Sequence, residues 1–356
     1  MSQTIAVFEL TPAQQGYLDQ QLNRVSRSFA LVVPTLEAPL RSYLSVAYLL
    51  CRVVDNIEDC GQTYVWQQQR FSEFLHLLRD PHHAVEALSL WEGAAWPALT
   101  DYERRLMGVA DGLALWEIYA RMPQDVQEIV QHWTSEMARG MSQLGDPNQR
   151  PFLVRRQGID VIATTTDYDD YCYYVAGTVG HLATELVIRQ YQLTDDVAQA
   201  LRPHAESCGR SLQKTNIVKD FAEDLTREIC YLPDAWLTRA DYAPLDLRGA
   251  TPAWKAMVVA NVLDELRAAT EYVTALPYHA PGYRRASLLC LLPSYQTLLV
   301  AARRQEHLFT PDHKVKISRL TMAQCLADSQ AMLYDNKSIL RYSQRLESEI
   351  HSQFGL

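Results

Sequence analysis

Asp55-Asn56-Ile57-Glu58-Asp59 and Asp220-Phe221-Ala222-Glu223-Asp224 share the spacing D-x-x-E-D. On a helix the Asp, Glu and Asp of each stretch fall at i, i+3 and i+4, on one face. Like charges so placed repel by about 0.2–0.5 kcal/mol per pair. Each stretch belongs to an otherwise apolar helical pattern, so something has to neutralise it. Facing each other across a cavity, the two sets of carboxylates would hold divalent cations. Mg2+ takes oxygen ligands and is commonly held by one or two carboxylates together with substrate phosphates. The expected chemistry is capture of a diphosphate through Mg2+, with Mn2+ as a substitute ion. The candidate ligands are Asp55, Glu58, Asp59, Asn216, Asp220, Glu223 and Asp224.

Counting back from Asp55 in threes and fours adds Arg52 and Tyr48 to the same face of a helix over residues 38–59. Leu49, Leu50, Val53, Val54 and Ile57 cover the remainder. A polar stripe on so apolar a helix lines either a cavity or an internal salt-bridge network. Arg52 suits pairing with Asp55 and contact with a ligand equally well. In the second helix, over residues 203–224, Gln213, Asn216, Asp220, Glu223 and Asp224 share one face. Two amides and three carboxylates make a poor core stripe and a good row of ligands for metal and phosphate-bound water. Arg227-Glu228 follow, and Leu232-Pro233 ends the element. Ser26-Arg27-Ser28-Phe29 puts two hydroxyls and an arginine at a helix end, where they can hold a phosphate or simply cap the helix.

The elements that must position these groups are helical almost throughout, since apolar residues recur at three- and four-residue spacing. Thr11 as N-cap and Pro12 at the first position start a helix to about Asn23. Residues 64–140 read as further helices broken near Asp80-Pro81, Trp96-Pro97 and Met122-Pro123, with Trp91, Trp96, Trp116 and Trp133 as core. Residues 144–151 form a loop. A helix over 166–190 carries Tyr168, Tyr171, Tyr173 and Tyr174, then Ala176, Gly177 and Gly180. Helical glycines cost about 1 kcal/mol against alanine, which close packing or room for a ligand explains. Asp195-Asp196 look like first-turn charges of a separate helix. Helices over 252–276, 283–309 and 321–350 complete the chain. Before the last of these, Lys314-Val315-Lys316-Ile317-Ser318-Arg319 puts three bases in six residues, a phosphate grip or a solvated face.

Composition sets the bounds. Nearly half of the 356 residues are apolar, enough for a sizeable core, and no linker or low-complexity segment divides them. A net charge of −9 gives no reason to expect nucleic-acid binding. Seven scattered cysteines, without C-x-x-C spacing, fit reduced thiols in a cytoplasmic protein. There is no signal-peptide pattern and no apolar run near the ~20 residues that span a bilayer. The chain reads as soluble, at most peripheral to a membrane.

The stretches SRSFALV (26–32), YLLCRVVDNIED (48–59), YCYYVAGTVG (171–180) and QKTNIVKDFAED (213–224) resemble the squalene/phytoene synthase family in order and spacing. The resemblance covers a catalytic core of about residues 20–320, within one domain over 1–356. QKTNI and YVAGTVG are more like the squalene-forming members. The resemblance implies an all-α class I isoprenoid (terpenoid) synthase bundle with a central cavity. It implies a Mg2+-dependent transferase that joins two farnesyl diphosphates head to head through presqualene diphosphate, then reduces this with NADPH to squalene. Asp55, Asp59, Asp220 and Asp224 would hold Mg2+. Ser26, Ser28, Phe29, Arg52 and Arg227 would contact substrate, and Gln213 and Asn216 metal-bound water or phosphate. Tyr48 and Tyr171 would line the reaction chamber, Tyr171 assisting proton removal or shielding a cation. Ala176, Gly177 and Gly180 would leave room for the isoprenoid chain.

The chain departs from the family pattern in two places. A segment that family members associate with NADPH has a serine, Ser318, where a base is expected, leaving Lys316 and Arg319, with Asn216, as cofactor contacts. The membrane-anchoring helix that ends eukaryotic members is not seen before Leu356, so a bacterial-type enzyme with peripheral membrane contact is expected. A dehydrosqualene or phytoene synthase, or a presqualene diphosphate synthase, shares the first half-reaction and is the alternative reading.

Overall fold

The computed structural model of the protein describes residues 8–26 and 29–355. In chain order its helices begin with α1 (Pro12–Val25), α2 (Phe29–Val32), α3 (Leu40–Glu58), α4 (Tyr64–Arg79), α5 (Ala84–Glu92), α6 (Asp101–Leu106), α7 (Val109–Ala120) and α8 (Gln124–Leu144). A hairpin of β1 (Leu153–Arg156) and β2 (Ile159–Ile162) leads into α9 (Thr165–Cys172), a π-helical turn (Tyr173–Gly177) and α10 (Thr178–Tyr191). Then come α11 (Asp195–Thr226), β3 (Ile229–Cys230), α12 (Asp234–Arg239), α13 (Pro252–Ala275), α14 (Pro281–Arg303), α15 (Arg319–Ala331) and α16 (Asn336–Gln353). The chain groups into two compact units. One holds the residues up to Asp146 with His181–Leu193; the other holds Pro147–Gly180 with Thr194 onward.

In the first unit the local signals act as read. The Thr11 hydroxyl accepts from the Gln14 N–H at 3.2 Å and the Gln14 side chain accepts from the Thr11 N–H at 3.1 Å, which closes a capping box on α1. Helix α3 packs against α1, α4, α7 and α8. Leu49, Leu50, Val53, Val54 and Ile57 are all buried, so its apolar surface is the expected one. Trp91, Trp96 and Trp116 are core residues; Trp133 is half-buried and stacks on His181 at 4.5 Å.

The second unit is organised by α11, which packs against α9, the π turn, α13 and α14. Four expectations change here. Residues 195–226 form one helix rather than two, with Pro203 inside it. Pro203 forfeits a backbone hydrogen bond, and burial of Ala198, Leu201 and Ala205 on either side holds the helix together. A small sheet also appears. Gln157 (φ 49°) and Gly158 (φ 86°) both take the positive φ of a two-residue hairpin turn, and β3 joins β2 in parallel. The helix expected over 166–190 contains the π turn. Finally, the last helix is two, because Asp335 starts α16 by accepting from the Ser338 N–H at 3.1 Å.

Among the described residues α14 alone is long and apolar enough to cross a membrane, and 67% of its most apolar window is buried in the protein, as in a core helix. All seven cysteines are free thiols.

Candidate active site

The first acidic box sits at the C-terminal end of α3, with Asp59 as its C-cap residue. A helix C-terminus carries roughly half a negative charge, so three carboxylates there compound an already unfavourable field. Burial pushes the Asp55 carboxyl up to about 7; Arg52 opposes the shift, while Asp59 and Glu103 add to it. The arginine is shared: Arg52 stands 3.7 Å from Asp55 and donates a short hydrogen bond to Glu103 on α6. One turn earlier, Tyr48 stacks on Phe29 at 4.5 Å and its hydroxyl meets that of Ser26. Ser26 also accepts at 3.1 Å from the N–H of Phe29, the first residue of α2. The first unit thus brings together Ser26, Phe29, Tyr48, Arg52, Asp55, Glu58 and Asp59. Ser28 lies outside the described residues.

The second box occupies the last two turns of α11, again at the negative end of the dipole. Each of its carboxylates has a base. Lys219 is 3.1 Å from Asp220, Lys314 donates to Glu223 at 2.9 Å, and Arg227 pairs with Asp224. Burial still pushes Asp224 up to about 6, with Arg227 opposing and Asp220 and Glu223 reinforcing. The Lys314 ammonium instead lowers Glu223. Asn216 is exposed and its carbonyl accepts from Lys219 at 3.0 Å; Gln213 is half-buried. Lys316 and Arg319 are exposed, and Ser318 is the N-cap of α15, accepting from the Thr321 N–H at 2.9 Å. The serine that breaks the expected basic pattern therefore starts a helix. Two exposed bases fit a phosphate and say nothing of a nicotinamide ring.

Among the described residues, no three His, Cys, Asp or Glu side chains converge into a preformed metal cage. Carboxylates at a helix C-terminus, two of them pushed up by burial, are the donor set a divalent cation would relieve.

Tyr171 is 7% exposed and stacks on Tyr231 at 5.0 Å. Tyr231 follows β3 directly, so the sheet that receives the chain after the second box also sets this contact. The glycines beyond Tyr171 do not leave room for a ligand. A Cβ on Gly180 would lie 2.0 Å from the Ala205 carbonyl oxygen, and one on Gly209 only 1.8 Å from that of Ala176. A Cβ on Gly177 would meet Glu206 and Tyr173 at 3.0 Å. Close helix packing consumes all three.

Sequence reasoning also missed a buried ion network. Lys214, 1% exposed, lies 2.9 Å from both Asp169 on α9 and Glu265 on α13. Arg210 joins Asp169, Glu206 and Glu265 at 2.7–2.8 Å. Three helices are tied together about two to three turns before the second box. For Glu103 a signal existed: Thr100-x-x-Glu103 is a capping-box pattern. For the Lys214 network none did, because its partners are scattered along the chain.

The sequence model of the squalene/phytoene synthase family matches residues 22–321. A squalene synthase of Saccharomyces cerevisiae is 30% identical over 231 residues, which are 63% of this chain and 46% of that one. The chain spans about half the length of that relative. The solved structure of TcSQS with a ligand superposes with a TM-score of 0.75 at 22% identity, over 96% of this chain and 92% of that one. A dehydrosqualene synthase with a ligand gives 0.59 at 20% identity, over 90% and 96%. The nearly all-α isoprenoid synthase fold is common to both and to this chain. With the family match running unbroken from the Ser26 segment through both acidic boxes, the chain belongs to the squalene/phytoene synthase family.

Proposed function

We propose that the protein joins two farnesyl diphosphates head to head to presqualene diphosphate and then reduces this to squalene with NADPH. One observation carries the reading: each acidic box ends its own helix at the negative pole, and each has an arginine, Arg52 or Arg227, beside it. Asp55, Asp59, Asp220 and Asp224 would hold Mg2+, with Glu58, Glu223 and Asn216 next to them. When bound, Mg2+ would stabilise the charge that develops on the leaving diphosphate. Arg52, Arg227 and the hydroxyls of Ser26 and Ser28 would bind diphosphate oxygens, for which a guanidinium fork is well shaped. Phe29, Tyr48 and Tyr171 offer aromatic faces to an allylic cation and keep water from it. Gln213 would orient metal-bound water. NADPH, held through its phosphates by Lys316 and Arg319, would supply the hydride of the second step. The hydrocarbon product would leave by peripheral contact with a membrane.

A second reading stops before reduction, at dehydrosqualene, phytoene or presqualene diphosphate. It is favoured by Ser318, which takes a helix-capping role where the family pattern has a base. Product analysis after incubation with farnesyl diphosphate and Mg2+, with and without NADPH, tests both. Squalene only in the presence of NADPH is the expected result. Dehydrosqualene or presqualene diphosphate in both samples would move the function to the second reading. No diphosphate release in either would overturn both.

A further inference from the structure

Glu103 belongs to none of the motifs, and its carboxylate is divided between two tasks. One oxygen accepts from the Thr100 N–H at 2.9 Å and the Thr100 hydroxyl at 2.6 Å, completing the capping box of α6. The other accepts from the Nη2 of Arg52. Glu103 is only 8% exposed, so its bond to the guanidinium is poorly screened. The rest of the Arg52 fork is less committed. Its Nε is buried without a partner among the described residues, and its Nη1 stands 3.7 Å from Asp55, beyond hydrogen-bond length. A flexible arginine is therefore clamped at one corner, with the opposite corner turned toward the first acidic box.

We propose that Glu103 is a positioning residue for diphosphate binding. It fixes Arg52 so that the Nη1 corner is presented to a diphosphate oxygen at the first box. The inference rests on the diphosphate chemistry proposed above and deepens it. A capping carboxylate anchored by two hydrogen bonds to Thr100 is a rigid clamp. Without it, Arg52 would have the freedom to fold onto Asp55, where the same guanidinium would compete with a bound cation.

The capping box separates positioning from mere structure, because glutamine completes it as well as glutamate does. Glu103→Gln is expected to keep the unfolding midpoint within about 2 °C of the parent. It should raise KM for farnesyl diphosphate about tenfold, the scale of one hydrogen bond to a charged group, with kcat nearly unchanged. Titration calorimetry with inorganic diphosphate and Mg2+ should show the same loss, and it reads the inference independently of turnover. In an Arg52→Ala background Glu103→Gln should add nothing, since it acts through Arg52. Parent-like KM and diphosphate affinity in Glu103→Gln would reduce the residue to a helix cap and overturn the proposal. So would a penalty that persists undiminished without Arg52. Failure of the parent protein to turn over any isoprenoid diphosphate would count against the proposed function instead, and calorimetry would still decide the role of Glu103.

Discussion

Asp111 at the start of α7 is held by Arg105 at 2.9 and 3.1 Å and by Arg24 at 3.2 Å, which ties α1, α6 and α7. The bond from Arg105 is the main cause of a pKa below the usual carboxylate value; burial opposes it, and the charges of Arg105 and Arg24 reinforce it. A depressed folded pKa means the native state binds fewer protons than the unfolded chain near pH 4. The stability contributed is thus full above the ordinary carboxylate range and is lost as pH falls through the folded value. Asp111→Asn should cost about 0.5–1 kcal/mol at pH 7 after solvent screening. Measured by thermal melts, the gap from the parent should close as pH drops from about 5 to 2; a gap that stays constant would mean the contact is not ionic. Residues of this kind were not legible in the sequence. The grouping of Asp55 with Glu58 and Asp59, and of Asp220 with Glu223 and Asp224, was, because those residues lie three and four positions apart on the same helix. Glu103, 51 positions from Arg52, and Lys314, 91 from Glu223, are brought to their charges by folding alone.

At the scale of elements, legibility followed the same rule of distance. Caps, breaks and apolar faces depend on neighbours within a turn, and α1, α3, α13 and α14 came out nearly as read. The continuous α11 did not, since Pro203 and the Asp195-Asp196 pair are local break signals that tertiary packing overrides. The β1–β2 hairpin was hidden because Arg155 and Arg156 interrupt the apolar alternation and find their partners in Asp160, Glu228 and Asp234. The π turn has no sequence period of its own. Its geometry does explain the glycines, and the explanation can be measured. A methyl on Gly209 would fall 1.8 Å from a backbone oxygen that cannot move without shifting the π turn. Gly209→Ala should cost roughly 3 kcal/mol in urea unfolding, as overpacking does. That exceeds the ~1 kcal/mol alanine gains over glycine in a helix. Gly16, in α1, has nothing within 4 Å of its notional Cβ, so Gly16→Ala should stabilise by up to about 1 kcal/mol. Equal and small effects at both sites would show that the two helices part easily and that the glycines are there for another reason.

For the whole molecule, the sequence offered no linker, and the two compact units are not consecutive pieces of chain. The path passes from one to the other after Asp146, returns after Gly180 and leaves again after Leu193. Domain boundaries ordinarily fall in exposed, flexible segments that few contacts cross. Here the Gly180–His181 boundary lies inside α10, whose first turn is counted with the second unit and whose remainder is counted with the first. Gly180 in that first turn packs against the Ala205 backbone of α11, while farther along α10 His181 stacks on Trp133 of α8 and Arg189 pairs with Asp125 at 2.7 Å. Opening the first unit therefore removes tertiary support from the part of this 14-residue helix after Gly180, and opening the second removes it from the first turn, Thr178–Gly180. A helix fragment that short is marginal on its own in water. Loss of one unit should accordingly undermine the other through the shared helix. The metal-free protein is expected to melt in one transition, with its calorimetric enthalpy equal to the van't Hoff value. Two resolved transitions, or hydrogen-exchange protection lost in Thr194–Thr226 while α3 and α8 stay protected, would mean that α10 is a dispensable bridge and that the units fold independently.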